Sequence, residues 1–227
     1  MEQKSSGLMA MASAILLKDI KSEFRTRYAF NALIMFALVI LVVISIAIGQ
    51  YNLSDSLASS ILWILIFFAS VTGLGQSFIK EEETGTVNAL RLYSKPTAVW
   101  LGKLIFNTLL LLLLELIFVP LFFILLKVDC GNPFLFLTVI ILSSIGLSGA
   151  TTIIAAIIAK ASVKGALFAV LSFPLLLPVL ISAIRGTQIA FSGGSFGDAY
   201  SDIKLLISFP VIIMTVSVFL FDFIWNS

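Results

Sequence analysis

The residue that could do chemistry most directly is Glu115, which lies in the middle of the otherwise uncharged apolar run Leu104–Leu126. A charged side chain at the centre of a bilayer costs about 2.5–3.5 kcal/mol on insertion scales, and an acid kept there by default marks a functional site. Asn107 and Thr108 fall on the same helical face and extend a polar stripe towards one end of the run. We predict either a packing role, in which a neutral carboxyl bonds a neighbouring helix, or a direct role in substrate or proton handling.

A second group of candidate residues lies between two apolar runs, in the segment 80–103. Gly85 can end one helical stretch and Thr86 can cap the next, which must stop before Pro96. The apolar face of this short helix is rimmed by charge, as expected of a docking site for a partner protein. A solvated connector of ordinary length is the alternative. The predicted docking residues are Glu81, Glu82, Glu83, Gly85, Thr86, Val87 and Leu90.

The elements that position these residues follow from composition. The chain is 60% hydrophobic and 11% charged, whereas soluble chains carry roughly 25% charged residues, so a water-soluble domain is excluded. Apolar runs of about 20 residues can cross a bilayer as helices. We predict an all-α integral membrane protein whose transmembrane domain covers 30–227. Its six predicted spans are approximately 30–49, 57–79, 104–126, 135–159, 165–184 and 205–222.

The segment 1–29 carries apolar residues at helical spacing with basic residues between them. This pattern is typical of a helix lying flat in the membrane interface, although a simple anchor for the first span is the alternative. The charged residues assigned to this interfacial helix are Lys18, Asp19, Glu23, Arg25 and Arg27.

The distribution of basic residues predicts the orientation of the chain. Eleven of the 14 lysines and arginines fall in the segments 1–29, 80–103 and 160–164, which share one side of a six-span topology. Cytoplasmic loops carry the excess of Lys and Arg. We therefore predict that this side, with both termini, faces the cytoplasm.

Other sequence features predict local structure. Pro120, Pro174 and Pro178 lie inside predicted spans and are expected to kink them. The fourth span is rich in small residues, which allow close helix packing. The segment 186–204 has the composition of a flexible connector.

The chain lacks the residues that several kinds of chemistry require. No G-x-x-x-x-G-K-[ST] phosphate-binding loop is present, so we predict that the chain does not hydrolyse ATP by that route. The sequence has no histidine and a single cysteine, Cys130. We predict no catalytic residue and no metal site.

The loop string Glu83–Leu90, followed by Pro96, resembles the cytoplasmic loop of type-2 ABC transporter permeases. Asn88 departs from that class, which often has an acid at this position. Within the class, the whole chain resembles the CcmB family of the cytochrome c maturation machinery. The other stretches that carry the resemblance are Leu17–Arg27, Ile61–Trp63, Leu101–Leu104, Pro178–Ile181 and Phe221–Phe223.

The resemblance implies a type-2 ABC permease-like subunit, itself non-catalytic, in a bacterial inner membrane. A coupling helix between spans 2 and 3 would rest on a CcmA-like ATPase that binds ATP. The other implied partners are CcmC-like and CcmD-like membrane subunits and a CcmE-like haem chaperone, with two copies of this chain per complex and no nucleic acid. The implied function is to couple ATP hydrolysis to haem handling and to release of the haem-loaded periplasmic chaperone.

Haem is expected to be handled by the complex rather than bound directly as a cofactor. Haem iron is usually held by His, Cys, Met or Tyr. The chain has no histidine, and Cys130 and Tyr200 fall in predicted loops. We therefore expect haem ligation to be supplied by partner subunits.

Two alternative functions stay open. The chain could be a true ABC permease that exports haem or another lipophilic substrate along a path near Glu115 and the fifth span. It could also be a proton-coupled secondary transporter with Glu115 as the carrier. The latter predicts internal repeats, and we see none in the sequence.

Overall fold

The computed structural model describes residues 2–26, 28–49, 53–83, 85–159 and 164–226, and regular secondary structure within these ranges is entirely helical. The prediction of an all-α protein is confirmed. The helices in chain order are α1 (Glu2–Thr26), α2 (Tyr28–Ile48), α3 (Asp55–Leu74), α4 (Gln76–Glu83), α5 (Val87–Tyr93), α6 (Pro96–Leu126), α7 (Pro133–Ile158), α8 (Lys164–Phe191) and α9 (Tyr200–Asn226).

Five helices among the described residues are long and apolar enough to cross a membrane. These are Asp55–Leu74 in α3, Pro96–Leu126 in α6, Pro133–Ile158 in α7, Val170–Phe191 in α8 and Tyr200–Trp225 in α9. Helix α2 contributes a shorter apolar stretch, Leu33–Ile48. The chain is therefore a multi-pass membrane protein, and the sixth span stays a prediction.

The second predicted span, 57–79, is wrong at its C-terminal end. Helix α3 stops at Leu74, and α4 begins at Gln76 as a separate helix. The break falls at Gly75, whose N–H pairs with the carbonyl of Gly73 instead of continuing the regular helical ladder. An apolar run does not reveal such a break, because the hydrophobic side chains continue across it.

Helix α6 begins earlier than predicted, at Pro96, so most of the predicted loop 80–103 is helical. Pro96 occupies the first turn, where its missing N–H costs no hydrogen bond. At about 1.5 Å per residue the 31 residues of α6 extend about 46 Å, more than the roughly 30 Å of hydrocarbon in a bilayer. One end of α6 therefore reaches beyond the apolar layer.

The predicted flexible connector 186–204 is also wrong in extent. Helix α8 continues to Phe191 and α9 begins at Tyr200, which leaves eight residues between them. Asp198 accepts hydrogen bonds from the backbone N–H and the hydroxyl of Ser195, both at 2.8 Å. Asn132, from the preceding loop, donates to the carbonyl of Gly194 at 2.8 Å. Local hydrogen bonds thus give a definite shape to a segment whose small polar residues suggested flexibility.

Helix α7 lies at the centre of the bundle and packs against α3, α4, α6, α8 and α9. Its residues from Ser143 to Ala156 are almost all buried, including Gly146, Gly149 and Ala150. Small side chains allow helix backbones to approach closely. The packing role predicted for the small residues of this span is what the structure shows.

Prolines lie inside three of the long helices. Pro120 in α6 and Pro174 and Pro178 in α8 are exposed and fall within continuous helical segments. Pro210 in α9, which the sequence analysis did not single out, is buried. The predicted kinks stay predictions.

Helix α1 packs along the first turns of α6. Ala12 and Ile15, from the predicted apolar stripe, are buried there, whereas Phe24 near the end of the stripe is exposed. A Cβ added at Gly102 would lie 2.8 Å from the carbonyl oxygen of Ala12 and 3.0 Å from Cβ of Ile15. The close contact between α1 and α6 therefore requires glycine at position 102.

We predict that Gly102→Ala destabilises the protein and loosens α1. The added methyl group overpacks the contact with Ala12, an effect that typically costs about 1–3 kcal/mol. The measurement is the thermal unfolding midpoint in detergent, together with the rate of proteolysis within α1.

The matched control is Gly149→Ala in α7, where the nearest atoms to an added Cβ are 3.5 Å and 4.0 Å away. This variant should unfold at the wild-type temperature or slightly above it. Equal behaviour of the two variants would contradict the close approach of α1 to α6.

Candidate functional site

Four charged side chains meet where α1, α4 and α6 come together, and we call them the charge cluster: Lys18, Asp19, Glu81 and Lys103. The Lys103 ammonium lies 3.0 Å from Oδ2 of Asp19 and 3.1 Å from Oε1 of Glu81. Lys18 pairs with Asp19 at 3.1 Å and also with Glu81. Two positive and two negative charges therefore join three helices that are distant in sequence.

The charge cluster is largely removed from solvent. Lys103 is 1% exposed, Asp19 7% and Glu81 8%, and Lys18 covers the outer side of the cluster. Buried charges are tolerated when each has a hydrogen-bonded partner, and removing one partner typically costs about 3–5 kcal/mol. The Lys103 ammonium also lies 5.4 Å from the ring centre of Phe78, in cation–π geometry. These pairings hold α1, α4 and α6 in one arrangement.

The pairing shifts the pKa of Glu81 and of Lys18. Burial would raise the pKa of the Glu81 carboxyl, but the charge of Lys103 and hydrogen bonds from Lys18 and Thr86 outweigh it and lower the pKa to about 2. Burial would lower the pKa of Lys18, but its pairing with Glu81 and Asp19 raises it above the ordinary value. Each group therefore stabilises the charged form of its partner.

The turn between α4 and α5 is attached to the charge cluster. Gly85 has a positive φ of 69°, and its N–H bonds the carbonyl of Glu82 while that of Thr86 bonds the carbonyl of Glu81. This is the hydrogen-bond pattern of a Schellman motif, which glycine favours. The prediction that Gly85 ends one helical stretch is confirmed.

The predicted capping role of Thr86 is wrong. Thr86 does precede α5, but its side chain makes no cap hydrogen bond. Its hydroxyl donates instead to the Glu81 carboxylate. The buried carboxylate of Glu81 is a stronger acceptor for the hydroxyl, because a hydrogen bond to an ionised group exceeds one between neutral groups.

Helix α5 has one face against the protein and another in solvent. Val87 is buried and Leu90 half-buried, both within the apolar cluster that also contains Phe78 and Trp225. Leu92 and Tyr93 are 81% and 82% exposed. The predicted short helix is present, but its exposed apolar side chains are not those that the sequence pattern selected.

Aromatic side chains connect α5 to the end of α9. The Arg91 guanidinium lies 5.5 Å from the ring centre of Trp225. Trp225 stacks on Phe221 with ring centres 5.3 Å apart, and Phe221 contacts Phe78 of α4 at 5.5 Å. The sequence pattern does not single out Trp225 or the pairing role of Lys103. Lys103 and Phe221 lie within stretches that carry the family resemblance, but the sequence assigns them no role.

The other predicted docking and interfacial residues are not members of the charge cluster. Glu82, Glu83 and Gly85 are exposed. Glu23 accepts a hydrogen bond from the backbone N–H of Phe30 at 2.9 Å, which links α1 to α2. Arg25 is exposed. Arg27 lies outside the described residues.

A ladder of polar pairs joins α6 to α7 inside the bundle. Asn107 donates to the Thr152 hydroxyl at 2.8 Å. The hydroxyls of Thr108 and Ser148 are 2.7 Å apart. These pairs, with Glu115, line the contact between antiparallel helices, as interhelical hydrogen bonds do in membranes.

Glu115 is buried, and both of its carboxyl oxygens lie 2.7 Å from the Ser144 hydroxyl. The same hydroxyl lies 2.7 Å from the carbonyl of Ile140, one turn earlier in α7. A hydroxyl carries one hydrogen, so it cannot donate to both neighbours at once. A protonated Glu115 that donates to Ser144, while Ser144 donates to Ile140, gives each of these two hydrogens one acceptor.

The described residues contain no group of three or more His, Cys, Asp or Glu side chains that could hold a metal ion. Cys130 is a free, half-buried cysteine. Tyr200 opens α9 and is exposed, rather than lying in a loop as predicted.

The fold and site define a helical multi-pass membrane protein with a buried charge cluster at one end of its longest apolar helix. The family model described as CcmB protein matches residues 10–223, so the chain belongs to the CcmB family. It is also similar to heme exporter protein B of Bradyrhizobium diazoefficiens, with 28% identity over 208 residues that cover 85% of this chain and 88% of that protein.

We predict that stability falls in acid because of Glu81. Its folded pKa of about 2 lies below the ordinary value of 4.5. Its stabilising contribution is therefore present above about pH 4.5 and is lost as the pH falls towards 2. Glu81→Gln should be less stable near neutral pH and should lose less stability on acidification, as measured by thermal unfolding across the acid range.

The control is Glu82→Gln, the same change at the exposed neighbouring residue, which should follow the wild-type profile. A Glu81→Gln variant that loses as much stability in acid as wild type would contradict the role of this carboxylate.

We predict that Glu115→Gln retains stability and function, whereas Glu115→Ala loses both. The glutamine amide can still donate to the Ser144 hydroxyl, while alanine leaves a cavity that typically costs about 2–3 kcal/mol. Thermal unfolding and the activity of the assembled complex measure the two effects. Equal functional loss in both variants, with normal stability, would show that an ionisable group is needed.

Proposed function

We propose that this chain is the membrane subunit of an ABC-type complex in cytochrome c maturation. It couples ATP hydrolysis by a separate, CcmA-like ATPase to haem handling and release of a haem-loaded, CcmE-like chaperone. Membership of the CcmB family supports this proposal, as does the name heme exporter protein B of the relative. The chain itself is a non-catalytic subunit that transmits motion.

The observation that carries the proposal is the attachment of α5 to three other parts of the bundle. The turn before α5 joins the charge cluster through the hydrogen bond from Thr86 to Glu81. Helix α5 itself contacts Trp225, at the end of α9, through Arg91. A displacement of α5 would therefore exert force on α1, α6 and α9 together. Packed cores respond to such loads by discrete rearrangement rather than by continuous deformation.

The proposed topology has six spans, with α2 as the first. Helix α2 has 21 residues, enough to cross a bilayer at about 1.5 Å per residue, and its apolar side chains Val39, Val43 and Ile46 are exposed. Residues 1–29 form the interfacial segment and 30–227 the transmembrane domain. In this topology the charge cluster, α5 and both termini face the cytoplasm at a bacterial inner membrane, and the excess of basic residues on that side supports the orientation.

The coupling helix in this proposal is α5, and its exposed side chains define the docking face. Leu92 and Tyr93 supply an exposed apolar pair, and Glu82 and Glu83 supply negative charge at the end of α4. The complementary surface on the ATPase is an apolar groove with a basic rim. In this proposal the ATPase does not contact Glu81, Thr86 or Val87. These residues instead attach the coupling helix to the rest of its own chain.

Haem chemistry in this proposal belongs to other subunits. The chain has no histidine, and haem iron is usually held by His, Cys, Met or Tyr. CcmC-like and CcmD-like membrane subunits and the CcmE-like chaperone supply the ligands. Two copies of this chain stand over the ATPase dimer.

We predict that replacing both Leu92 and Tyr93 by alanine weakens co-purification with the cytoplasmic ATPase by about 10-fold or more. Buried apolar and aromatic anchors carry most of the free energy of such interfaces. The measurement is the amount of ATPase recovered with tagged membrane subunit from native membranes, with unfolding temperature as the check on the fold.

The matched control replaces Phe134 and Leu137, two exposed apolar residues at the start of α7, by alanine and should leave recovery unchanged. Normal recovery with the Leu92/Tyr93 variant would contradict this docking face. Failure of the wild-type chain to bind any cytoplasmic ATPase would contradict the ABC assignment. Movement of haem itself into reconstituted vesicles would favour a true permease over a chaperone-releasing subunit.

A further inference from the structure

Helix α9 is less covered by the rest of the chain than the other candidate spans. Of its apolar stretch 22% is buried, against 39% to 67% in the corresponding stretches of α3, α6, α7 and α8. One face of α9 packs against α6, α7 and α8. The buried residues of that face recur at spacings of three and four: Leu206, Pro210, Ile213, Ser217, Phe221 and Trp225. None of the described residues covers the opposite face.

Polar side chains line this uncovered face. Ser208 and Thr215 each lie two positions from a buried residue on either side, and two positions correspond to about 200° around a helix. They therefore point directly away from the bundle. Heptad spacing keeps side chains along one seam where two helices cross at a small angle. Four exposed polar residues share this spacing, which we call the α9 seam: Ser201, Ser208, Thr215 and Asp222.

The hydroxyls in the middle of the α9 seam bond their own helix. Ser208 donates to the carbonyl of Leu205 at 3.2 Å, and Thr215 donates to that of Val211 at 2.8 Å. Each hydroxyl oxygen still has lone pairs that can accept a hydrogen bond. In membranes, small hydroxyl residues allow a neighbouring helix to approach closely and accept its hydrogen bonds. The seam has the composition of a helix–helix contact rather than of a surface that faces lipid tails.

Two opposite charges lie at the ends of the same face. Lys204 and Asp222 are 18 residues apart, which is five full turns of helix, so they share one side of α9. At about 1.5 Å per residue they are separated by about 27 Å, close to the roughly 30 Å of hydrocarbon in a bilayer. Both are exposed, and neither forms an ion pair with another described residue. In the proposed topology Lys204 lies at the outer edge and Asp222 at the cytoplasmic edge.

These charges discriminate among the occupants of this face. A second copy related by a twofold axis along the membrane normal would place Asp222 beside Asp222 and Lys204 beside Lys204, and like charges in contact oppose association. Lipid alone would leave Asp222 among headgroup phosphates, whose negative charge repels a carboxylate. A different helix with a basic residue at its cytoplasmic end attracts Asp222, and the excess of Lys and Arg on that side of membrane proteins makes such a residue common.

We propose that the α9 seam binds a transmembrane helix of a different membrane subunit, a contact that rests on the proposed topology and on assembly of the chain into a complex. The partner helix places a Lys or Arg against Asp222 and an acidic residue near Lys204. Between these ends, its small or hydrogen-bond-donating side chains pack on Ser208 and Thr215. Ile212, which is 59% exposed, supplies apolar contact beside them.

This contact links the partner to the movement of α5. Trp225 lies three residues after Asp222 and contacts Arg91 of α5. A displacement of α5 that moves the end of α9 therefore also moves the helix bound to the α9 seam.

The first test is photocrosslinking of the full chain in native membranes, with a benzophenone amino acid at Ile212. The expected product joins this chain to a different membrane subunit. The matched control places the same amino acid at Leu116 of α6, which is 71% exposed, and should not give that product. A product between two copies of this chain, crosslinking to lipid alone, or equal yields from the two positions would overturn the proposal.

Two variants test the seam and its charge separately, with recovery of the crosslinked subunit on the tagged chain as the readout. Thr215→Leu should lower recovery by roughly 3- to 10-fold, because the larger side chain separates the helices and removes an acceptor. Its control is Thr138→Leu in α7, where the hydroxyl makes the same bond to its own helix at 2.8 Å. Asp222→Lys should lower recovery by about 10-fold or more through like-charge repulsion, whereas Asp129→Lys, at an exposed residue of the opposite end, should not.

Wild-type recovery in both seam variants, with unchanged unfolding temperature, would overturn the proposal. ATPase co-purification through Leu92 and Tyr93 should stay normal in Thr215→Leu, because this residue lies at the depth of the hydrocarbon. Loss of the membrane subunit and loss of the ATPase are thus separate readouts, and a failure of the α9 contact is distinguishable from a failure of the proposed function.

Discussion

The fold depends on a constraint at Lys103: the residue is only 1% exposed, so its buried ammonium group needs a negative partner. Asp19 and Glu81 supply that charge from α1 and α4, at 3.0 and 3.1 Å. The free energy of an unpaired charge in this position exceeds that of most single contacts in a protein. The N-terminal helix, the turn before α5 and the first turns of α6 therefore cannot separate independently, and this end of the molecule moves as one assembly or rearranges its charges together.

That constraint gives the connection between α4 and α5 its proposed function. A flexible loop would move by itself when a partner displaced it. The connection between α4 and α5 is instead held by Glu81 on one side and by the Arg91–Trp225 contact on the other. What remains exposed is the opposite side, with Leu92 and Tyr93. Helix α5 is held by its own chain on one face and presents apolar side chains on the other. Such a helix can transmit a displacement, because it moves little relative to the helices that hold it.

Local patterns predicted much of this architecture, and the tertiary pairings lay beyond them. Gly85, with Pro96 downstream, predicted the short helix that became α5, and the small residues of α7 predicted its central packing. The same pattern placed Val87 and Leu90 on a docking face, because a seven-residue helix shows which side chains share a face but not which face meets the protein. Lys103 and Asp19 are 84 residues apart, so no periodicity relates them. The break at Gly75 was missed for another reason: hydropathy is continuous across it.

The two ends of α6 differ in what their polar groups can do. At Lys103 the partners are charged, and Lys18 on the outer side of the cluster is exposed to solvent. Deeper in the bundle, Asn107 and Glu115 bond hydroxyls of α7, and no water is available in hydrocarbon to replace those partners. Breaking the ladder would leave buried groups unsatisfied on both helices. The favourable response to a load at the charge cluster is therefore a movement of α6 and α7 as a unit, with α8 and α9 adjusting through the apolar contacts around them.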